Sequence, residues 1–272
     1  MPVLYCVIPV YNEPATLERC VDRVLHAAIP AAWSLCAIMV DDASDAETRA
    51  AAGRLIDAQR GRPGRLELLT HLVNRGKGAA LRTGFRRVLE RCADENDAVI
   101  IQDADLEYDP TDFEAMLTAL PSGGHAAVFG DRWSHASDRT MVRRLHRNGN
   151  KLLTRLSNML TGYRIGDMEC CYKLLPIPLL RRVLPHLTED RFGIEPQLTA
   201  ALAREGAEVI EVPVHYDPRG FAAGKKIGWR DGVRAMWVIV RERMRRMPRS
   251  RPPIEGPARA PNTDERRDRG PS

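Results

Sequence analysis

The run Val99-Ile100-Ile101-Gln102-Asp103-Ala104-Asp105-Leu106-Glu107 leads from an apolar stretch into two carboxylates one residue apart, with a third two positions on. Carboxylate oxygens are the ligands Mg2+ and Mn2+ prefer, and Mg2+ commonly takes one or two of them together with phosphate oxygens of a substrate. An isolated D-x-D is a weak pattern whose plain reading is a solvated acidic turn. Its place at the end of a buried strand, where ligands of open α/β sheets bind, favours the metal. Ala37-Ile38-Met39-Val40 ends the same way in Asp41-Asp42-Ala43-Ser44-Asp45. Asp45 reads as a helix cap. Asp42 stands near the polar turn Pro9-Val10-Tyr11-Asn12-Glu13 and is expected to accept hydrogen bonds from a nucleoside, with Tyr11 packing near the base. Asn74-Arg75-Gly76-Lys77-Gly78-Ala79-Ala80 is Gly-rich, basic and just ahead of a helix, which suits a pyrophosphate. It lacks the spacing of a Walker A loop.

These residues need strands and helices to place them. Val3–Val10, Leu35–Val40, Leu66–Val73, Ala98–Gln102 and Ala126–Gly130 read as strands with nearly continuous apolar faces, as in a sheet covered on both sides. Between them lie helical patterns: Pro14 as a first helical residue followed by Leu17, Val21, Val24 and Leu25, then Leu81, Phe85, Val88 and Leu89, then a helix opening at Asp109-Pro110. Repeated β-α units predict an α/β fold with a doubly wound, mainly parallel sheet. Further on, helices are expected over Asn150–Leu160, Leu179–Leu187 and Glu195–Arg204, and strands over Cys171–Leu174 and Val209–Tyr216. The expected organisation is a catalytic domain over 1–228, an amphipathic helix over 229–247 and a disordered Pro/Arg-rich tail over 248–272.

The chain of 272 residues carries a formal charge of +5, much of it after residue 229, and six cysteines without zinc spacing. Nothing approaches the roughly 18 consecutive apolar residues of a membrane span. Met1–Tyr5 runs into the first strand without a basic leader, so a cytoplasmic setting is expected. The arginines at 241, 243, 245 and 246 have no base-stacking aromatics interleaved as a nucleic-acid module would, so no nucleic acid is expected.

Taken together, Ile8–Glu13, Val40–Asp45, Asn74–Gly78, Asp103–Asp105 and Gly130-Asp131-Arg132 resemble, in order and spacing, the inverting family 2 glycosyltransferases of the GT-A type. Asp167–Lys173, Phe192–Pro196, Glu211–Tyr216 and Gly224–Gly232 narrow the resemblance to dolichyl-phosphate mannose synthases and bacterial polyprenyl-phosphate glycosyltransferases. The resemblance implies a nucleotide-sugar donor, linked to GDP or UDP, and a lipid-phosphate acceptor. It implies that Asp103 and Asp105 bind Mg2+ or Mn2+ and the donor diphosphate, with Glu107 a further ligand. Pro9, Tyr11, Glu13 and Asp42 would bind the nucleoside, with Lys77 and Ala104 completing the donor site. Arg132, Arg219 and Lys225 or Lys226 would bind donor or acceptor phosphate. Were the acceptor a hydroxyl, a base would be required, and Asp131 or Glu169 is the candidate.

Along 229–247, Trp229, Val233, Met236, Trp237, Val240, Met244 and Met247 recur at three- and four-residue steps, with Arg230, Arg234, Arg241 and Arg245 on another face. Two uses fit this helix: docking on the domain, or peripheral contact with an anionic membrane surface through its aromatics and arginines.

Overall fold

The computed structural model describes residues 1–61, 65–134, 141–218 and 229–245. The strands are β1 (Val3–Val10), β2 (Ser34–Asp41), β3 (Leu66–Thr70), β4 (Ala98–Ile101), β5 (Ala126–Asp131), β6 (Lys173–Pro176) and β7 (Glu208–Pro213). The helices are α1 (Leu17–Leu25), α2 (Ala46–Ala58), α3 (Lys77–Arg91), α4 (Phe113–Ala119), α5 (Met141–Thr161), α6 (Ile177–Val183), α7 (Ile194–Arg204) and α8 (Trp229–Met244). One sheet holds all seven strands in the order β3-β2-β1-β4-β6-β5-β7. Every neighbouring pair is parallel except those of β6, which runs against both β4 and β5. The doubly wound, mainly parallel sheet expected from the sequence is the one observed.

The apolar strands are explained by burial on both faces. Leu4, Cys6, Val7 and Ile8 of β1, Ala37 to Val40 of β2 and the whole of β4 are fully buried. Helix α1 turns Leu17, Cys20, Val21, Val24 and Leu25 onto this sheet. Asp45 caps α2 as expected, its side chain accepting from Thr48 N at 2.8 Å.

Several boundaries differ from the sequence reading for local reasons. Pro14 precedes α1, which begins at Leu17, and the Glu13 carbonyl accepts the Leu17 N–H at 3.1 Å. β3 stops at Thr70; Leu72 and Val73 continue the apolar run but are 98% and 66% exposed. β6 starts two residues later than expected, after the Cys171 N–H has been donated to the Tyr108 hydroxyl at 3.0 Å. β7 ends at Pro213, and Tyr216 makes only an isolated bridge to Tyr108.

Helix α8 packs on α5 and α7. It does so through Ala235, Val238, Ile239 and Glu242, each at most 3% exposed. The face singled out in the sequence is the other one: Val233, Met236, Trp237, Val240 and Met244 stand 41–71% exposed. The helix is therefore apolar on two sides, and docking consumes only one. Residues 246–272, with Met247 and the predicted disordered tail, lie outside the described residues.

Candidate active site

β1 stays paired with β2 as far as Val10 and Asp41, but with β4 only as far as Val7 and Ile101. The strands part where the strand order reverses, the position at which open α/β sheets bind ligands. Pro9 fits this parting. Val7 O accepts the Gln102 N–H at 3.0 Å, so Pro9, two residues on and facing the same side, needs no N–H where β4 has already ended. Three turns line the opening, after β1, β2 and β4. Each holds a non-glycine residue in the left-handed region: Asn12 at φ 50°, Ala43 at φ 58° and Leu106 at φ 63°. Such residues cost on the order of 1–3 kcal/mol each and concentrate at ligand sites.

The turn after β4 is anchored from beneath. Asp103 O accepts from Gln102 Nε2 at 2.9 Å and from the Cys20 thiol at 3.5 Å, and Gln102 Oε1 accepts the buried Tyr172 hydroxyl at 2.6 Å. Ala104 is buried, 3% exposed, while Asp103 and Asp105 on either side of it are half-buried. Lys77, the first residue of α3, brings Nζ to 2.8 Å from Asp103 Oδ1 and 3.3 Å from Glu195 Oε1. Burial works against its charge, but Asp103 and the neighbouring anionic groups outweigh it and hold the ammonium well above the ordinary lysine range. Glu195 Oε2 in turn accepts from the fully buried Lys173 at 2.7 Å.

Asp105 and Asp103 supply hard oxygen donors, one or two of which are what Mg2+ takes from protein when substrate phosphates complete the shell. The donor set fits a divalent ion to that extent. Among the described residues no three His, Cys, Asp or Glu side chains gather around one point. Glu107, expected as a third ligand, accepts the Tyr216 hydroxyl at Oε2, 2.9 Å away.

Asp42 is held more firmly than the sequence indicates. Oδ1 lies 2.7 Å from His71 Nδ1 and accepts the Arg75 N–H at 2.9 Å, while Oδ2 accepts the Gly76 N–H at 2.6 Å. The side chain is 3% exposed. His71 Nε2 meets Thr83 Oγ1 at 2.9 Å. Of the loop amides expected to meet a pyrophosphate, those of Arg75 and Gly76 thus point at Asp42, and the Ala79 N–H at the start of α3 is donated to Asp190 O at 3.1 Å. The Gly-rich loop also brings the Lys77 side chain to the crevice. Gly76, at φ 98°, makes the turn that aims it. Tyr11, 39% exposed, stands at the mouth of the crevice, and Glu13, 9% exposed, accepts the Thr16 hydroxyl at 3.0 Å.

Arg132 is also engaged. Nε and Nη2 donate to Asp167 at 2.6 and 2.7 Å, a bidentate pair in which Asp167 is fully buried, and the guanidinium lies 5.1 Å from the ring centres of both Trp133 and Tyr216. Asp131 caps its own turn, accepting from Trp133 N at 2.8 Å and from the Ser134 hydroxyl. Glu169 Oε1 is shut off from solvent and has no hydrogen-bond partner among the described residues. Burial first, and then the Glu195 charge, push the Glu169 carboxyl up to about 7. Arg219, Lys225 and Lys226 lie outside the described residues.

Sequence reasoning gave no role to Glu195, Asp167, His71 or Gln102. Glu195 and Asp167 lie inside the motifs that carry the resemblance, but their partners Lys173 and Arg132 stand in other segments, so spacing alone does not mark them. His71 and Gln102 carry no mark either, since their partners are fixed by strand ends that only the folded sheet brings together.

The family model described as "Glycosyl transferase family 2" matches residues 5–184. Over 226 residues the chain is 26% identical to the undecaprenyl-phosphate 4-deoxy-4-formamido-L-arabinose transferase of Salmonella choleraesuis, covering 80% of this chain and 61% of the relative. It therefore spans about three fifths of the length of the curated relatives it matches. A Pyrobaculum calidifontis mannosyltransferase solved with GDP-Man and Mn2+ shares the fold, at TM-score 0.55 and 21% identity, over 81% of this chain and 59% of that one. So does a Mycobacterium tuberculosis glucosyl-3-phosphoglycerate synthase solved with Mn2+, UDP and glucosyl-3-phosphoglycerate, at TM-score 0.58 and 15% identity, over 89% and 80%. With the family model matched over more than half of its length, on a sheet that opens between β1 and β4 beside Asp103 and Asp105, the chain belongs to glycosyl transferase family 2.

Proposed function

We propose that this chain transfers a sugar, with inversion, from a nucleoside-diphosphate sugar to a polyprenyl phosphate, using Mg2+ or Mn2+. The observation that carries the reading is the pair Asp103 and Asp105 at the parting of β1 and β4, with the Lys77 ammonium 2.8 Å from Asp103. Asp103 and Asp105 would hold the ion, which when bound supplies positive charge against the departing diphosphate. Lys77 orients Asp103 and adds a fixed cation beside the same leaving group. Tyr11 offers a ring for the base, with Pro9 and Glu13 shaping the turn under it. Arg132, kept protonated by Asp167 despite its burial, is a candidate for the acceptor side, with its charge largely offset by that pairing. Arg219, Lys225 and Lys226 are further candidates for the acceptor phosphate. A phosphate monoester is largely ionised at neutral pH, so it needs no strong base to attack the anomeric carbon.

The acceptor would be met at a bilayer. No described helix is long and apolar enough to cross a membrane. The outer face of α8 instead offers Val233, Met236, Trp237, Val240 and Met244 to a lipid surface. The arginines expected to face headgroups are largely used within the protein: Arg234 and Arg241 pair with Glu189, and Arg245 with Glu242. Membrane contact then rests chiefly on the apolar face. Substitution, rather than removal of α8, is the right test, because removal strips the cover from α5 and α7. Val233→Glu with Met244→Glu should abolish cosedimentation with anionic liposomes and leave the melting temperature unchanged, these side chains being 57% and 71% exposed; undiminished binding would return the helix to a purely structural role.

The activity is tested by incubating the protein with GDP- and UDP-linked sugars, Mn2+ or Mg2+, and undecaprenyl phosphate. A lipid-linked sugar is expected, and its absence with every donor would overturn the reading. A second reading, transfer to a soluble hydroxyl acceptor, is favoured by Glu169, whose carboxyl is raised to about 7 and so suits a general base near neutrality. Sugar transfer to a soluble hydroxyl acceptor with none to the lipid phosphate would select it.

A further inference from the structure

Glu189 lies outside the crevice, between α6 and α7, and is 2% exposed. Its carboxylate is where α8 takes hold of this segment. Oε2 accepts from Arg234 Nε at 3.0 Å and Nη2 at 2.8 Å, and Oε1 accepts from Arg241 Nη1 at 2.6 Å. A second tie runs through Gln197, whose Oε1 accepts the Thr188 and Glu189 N–H groups at 2.7 Å each and whose Nε2 donates to Glu242 of α8 at 2.9 Å.

The main chain of the same segment faces the other way, onto the Lys77 loop. The Glu189 carbonyl accepts from Arg82 of α3, and Asp190 O accepts the Ala79 N–H at 3.1 Å. A side chain at Gly76 would come 2.5 Å from Asp190 O, and one at Gly78 would overlap the Glu189 carbonyl oxygen. Residues 189–191 are therefore pressed flat against Gly76-Lys77-Gly78, while Asp42 holds the loop from the opposite side through the Arg75 and Gly76 N–H groups. A carboxylate this buried is tolerated only while it is paired. Losing its arginines would drive it toward water and draw residues 189–191 away from the loop.

We propose that Glu189 is a positioning residue that couples the seating of α8 to the Lys77 loop, so that donor binding at Asp103 and Asp105 depends on α8. This deepens the nucleotide-sugar reading and rests on it. The connection is a contiguous set of contacts rather than proximity alone.

The test compares the wild-type chain with Glu189→Gln, Arg234→Gln, the double variant and Glu189→Asp. GDP and UDP binding with Mn2+ is measured by calorimetry, and amide exchange at 75–80 is measured without nucleotide. Glu189→Gln and Arg234→Gln should each weaken binding of the nucleotide that the wild type takes, by up to about tenfold, and speed exchange at 75–80. The double variant should be no worse than Glu189→Gln, because the two changes break one link. Glu189→Asp should recover part of both effects. Should Glu189→Gln fail to fold, Arg234→Gln carries the test, since its side chain is 47% exposed. Unchanged exchange at 75–80 while the amides of α8 loosen, or fully additive effects in the double variant, would overturn the coupling. A wild-type chain that binds neither GDP nor UDP would overturn the donor reading instead, and the exchange data would still decide the coupling.

Discussion

Replacing Asp42 by Asn asks whether this carboxylate reaches the donor itself or acts by holding the loop that carries Lys77. In the wild-type chain it takes the Arg75 and Gly76 N–H groups and the His71 ring, with 3% of the side chain exposed. An amide keeps one acceptor oxygen. With its NH2 at the Oδ2 position it confronts the Gly76 N–H, and flipped it confronts the Arg75 N–H and His71. At least one buried backbone donor loses its acceptor in either orientation, and the remaining bonds lose their charge assistance. An orphaned buried donor costs about 1–3 kcal/mol and the lost charge assistance roughly 1 more. At about 2–4 °C per kcal/mol for a domain of this size, the melting temperature should fall by about 5–15 °C. Thermal unfolding measures that loss, and calorimetry with GDP or UDP, run well below the variant's transition, should show weakened binding that follows the loosened loop. A variant that melts with the wild type yet loses nucleotide binding would refute this reasoning and place Asp42 on the nucleoside.

Asp105→Asn keeps an oxygen for the Glu107 N–H, which Asp105 Oδ1 accepts at 3.1 Å, but removes the charge offered to a divalent ion. Turnover should fall on the order of a hundredfold or more with the melting temperature preserved; wild-type turnover in the variant, or in excess EDTA, would remove the metal assignment. Glu169 is raised in the folded chain from the ordinary 4.5 to about 7, so the stability it contributes is fully present below the unfolded value and is lost as pH rises through about 7. Glu169→Gln, always neutral, should gain on the wild type by up to about 3 kcal/mol between pH 5 and pH 8 in urea unfolding; parallel pH dependences would contradict the burial of this carboxyl.

The parts of the site legible in the sequence are those written within a single strand and its following turn. Val99-Ile100-Ile101 must be buried, so Asp103 and Asp105 must emerge at its end, and the same logic located Asp42 after Met39-Val40. Asp45 as a helix cap required only its own neighbours. The rest depended on contacts between distant segments. Lys77 was assigned to the donor site by its loop, and only the folded chain sets it between Asp103 and Glu195 of α7. Arg132 looked available until Asp167, 35 positions on, supplied its bidentate partner. Leu72 and Val73 show the limit of hydrophobic runs: an apolar pair extends the pattern of β3 yet lies in the solvent, because the chain must turn there to deliver Gly76 to Asp42. In α8 the periodicity was right, but a helix with two apolar faces cannot be assigned an inner and an outer side without its partners.

The reversed strand β6 has a consequence for how the chain acquires its structure during synthesis. β4 and β5 follow one another in sequence, yet they are not neighbours; Leu174 of β6 sits between them, registered with Ile100 on one side and Val128 on the other. From Ile101 to Lys173 the ribosome adds about 70 residues, which at about 5–20 residues per second leaves the edge of β4 open for about 4–14 s. During that interval β5 is the first apolar strand to arrive, and pairing it directly with β4 would build a sheet with no slot for β6. The growing chain must therefore keep the lone strand β5 off the unfinished β3-β2-β1-β4 fragment until Leu174 emerges. A product ending between 131 and 173 would be an open-edged fragment prone to pair with other chains rather than a smaller enzyme.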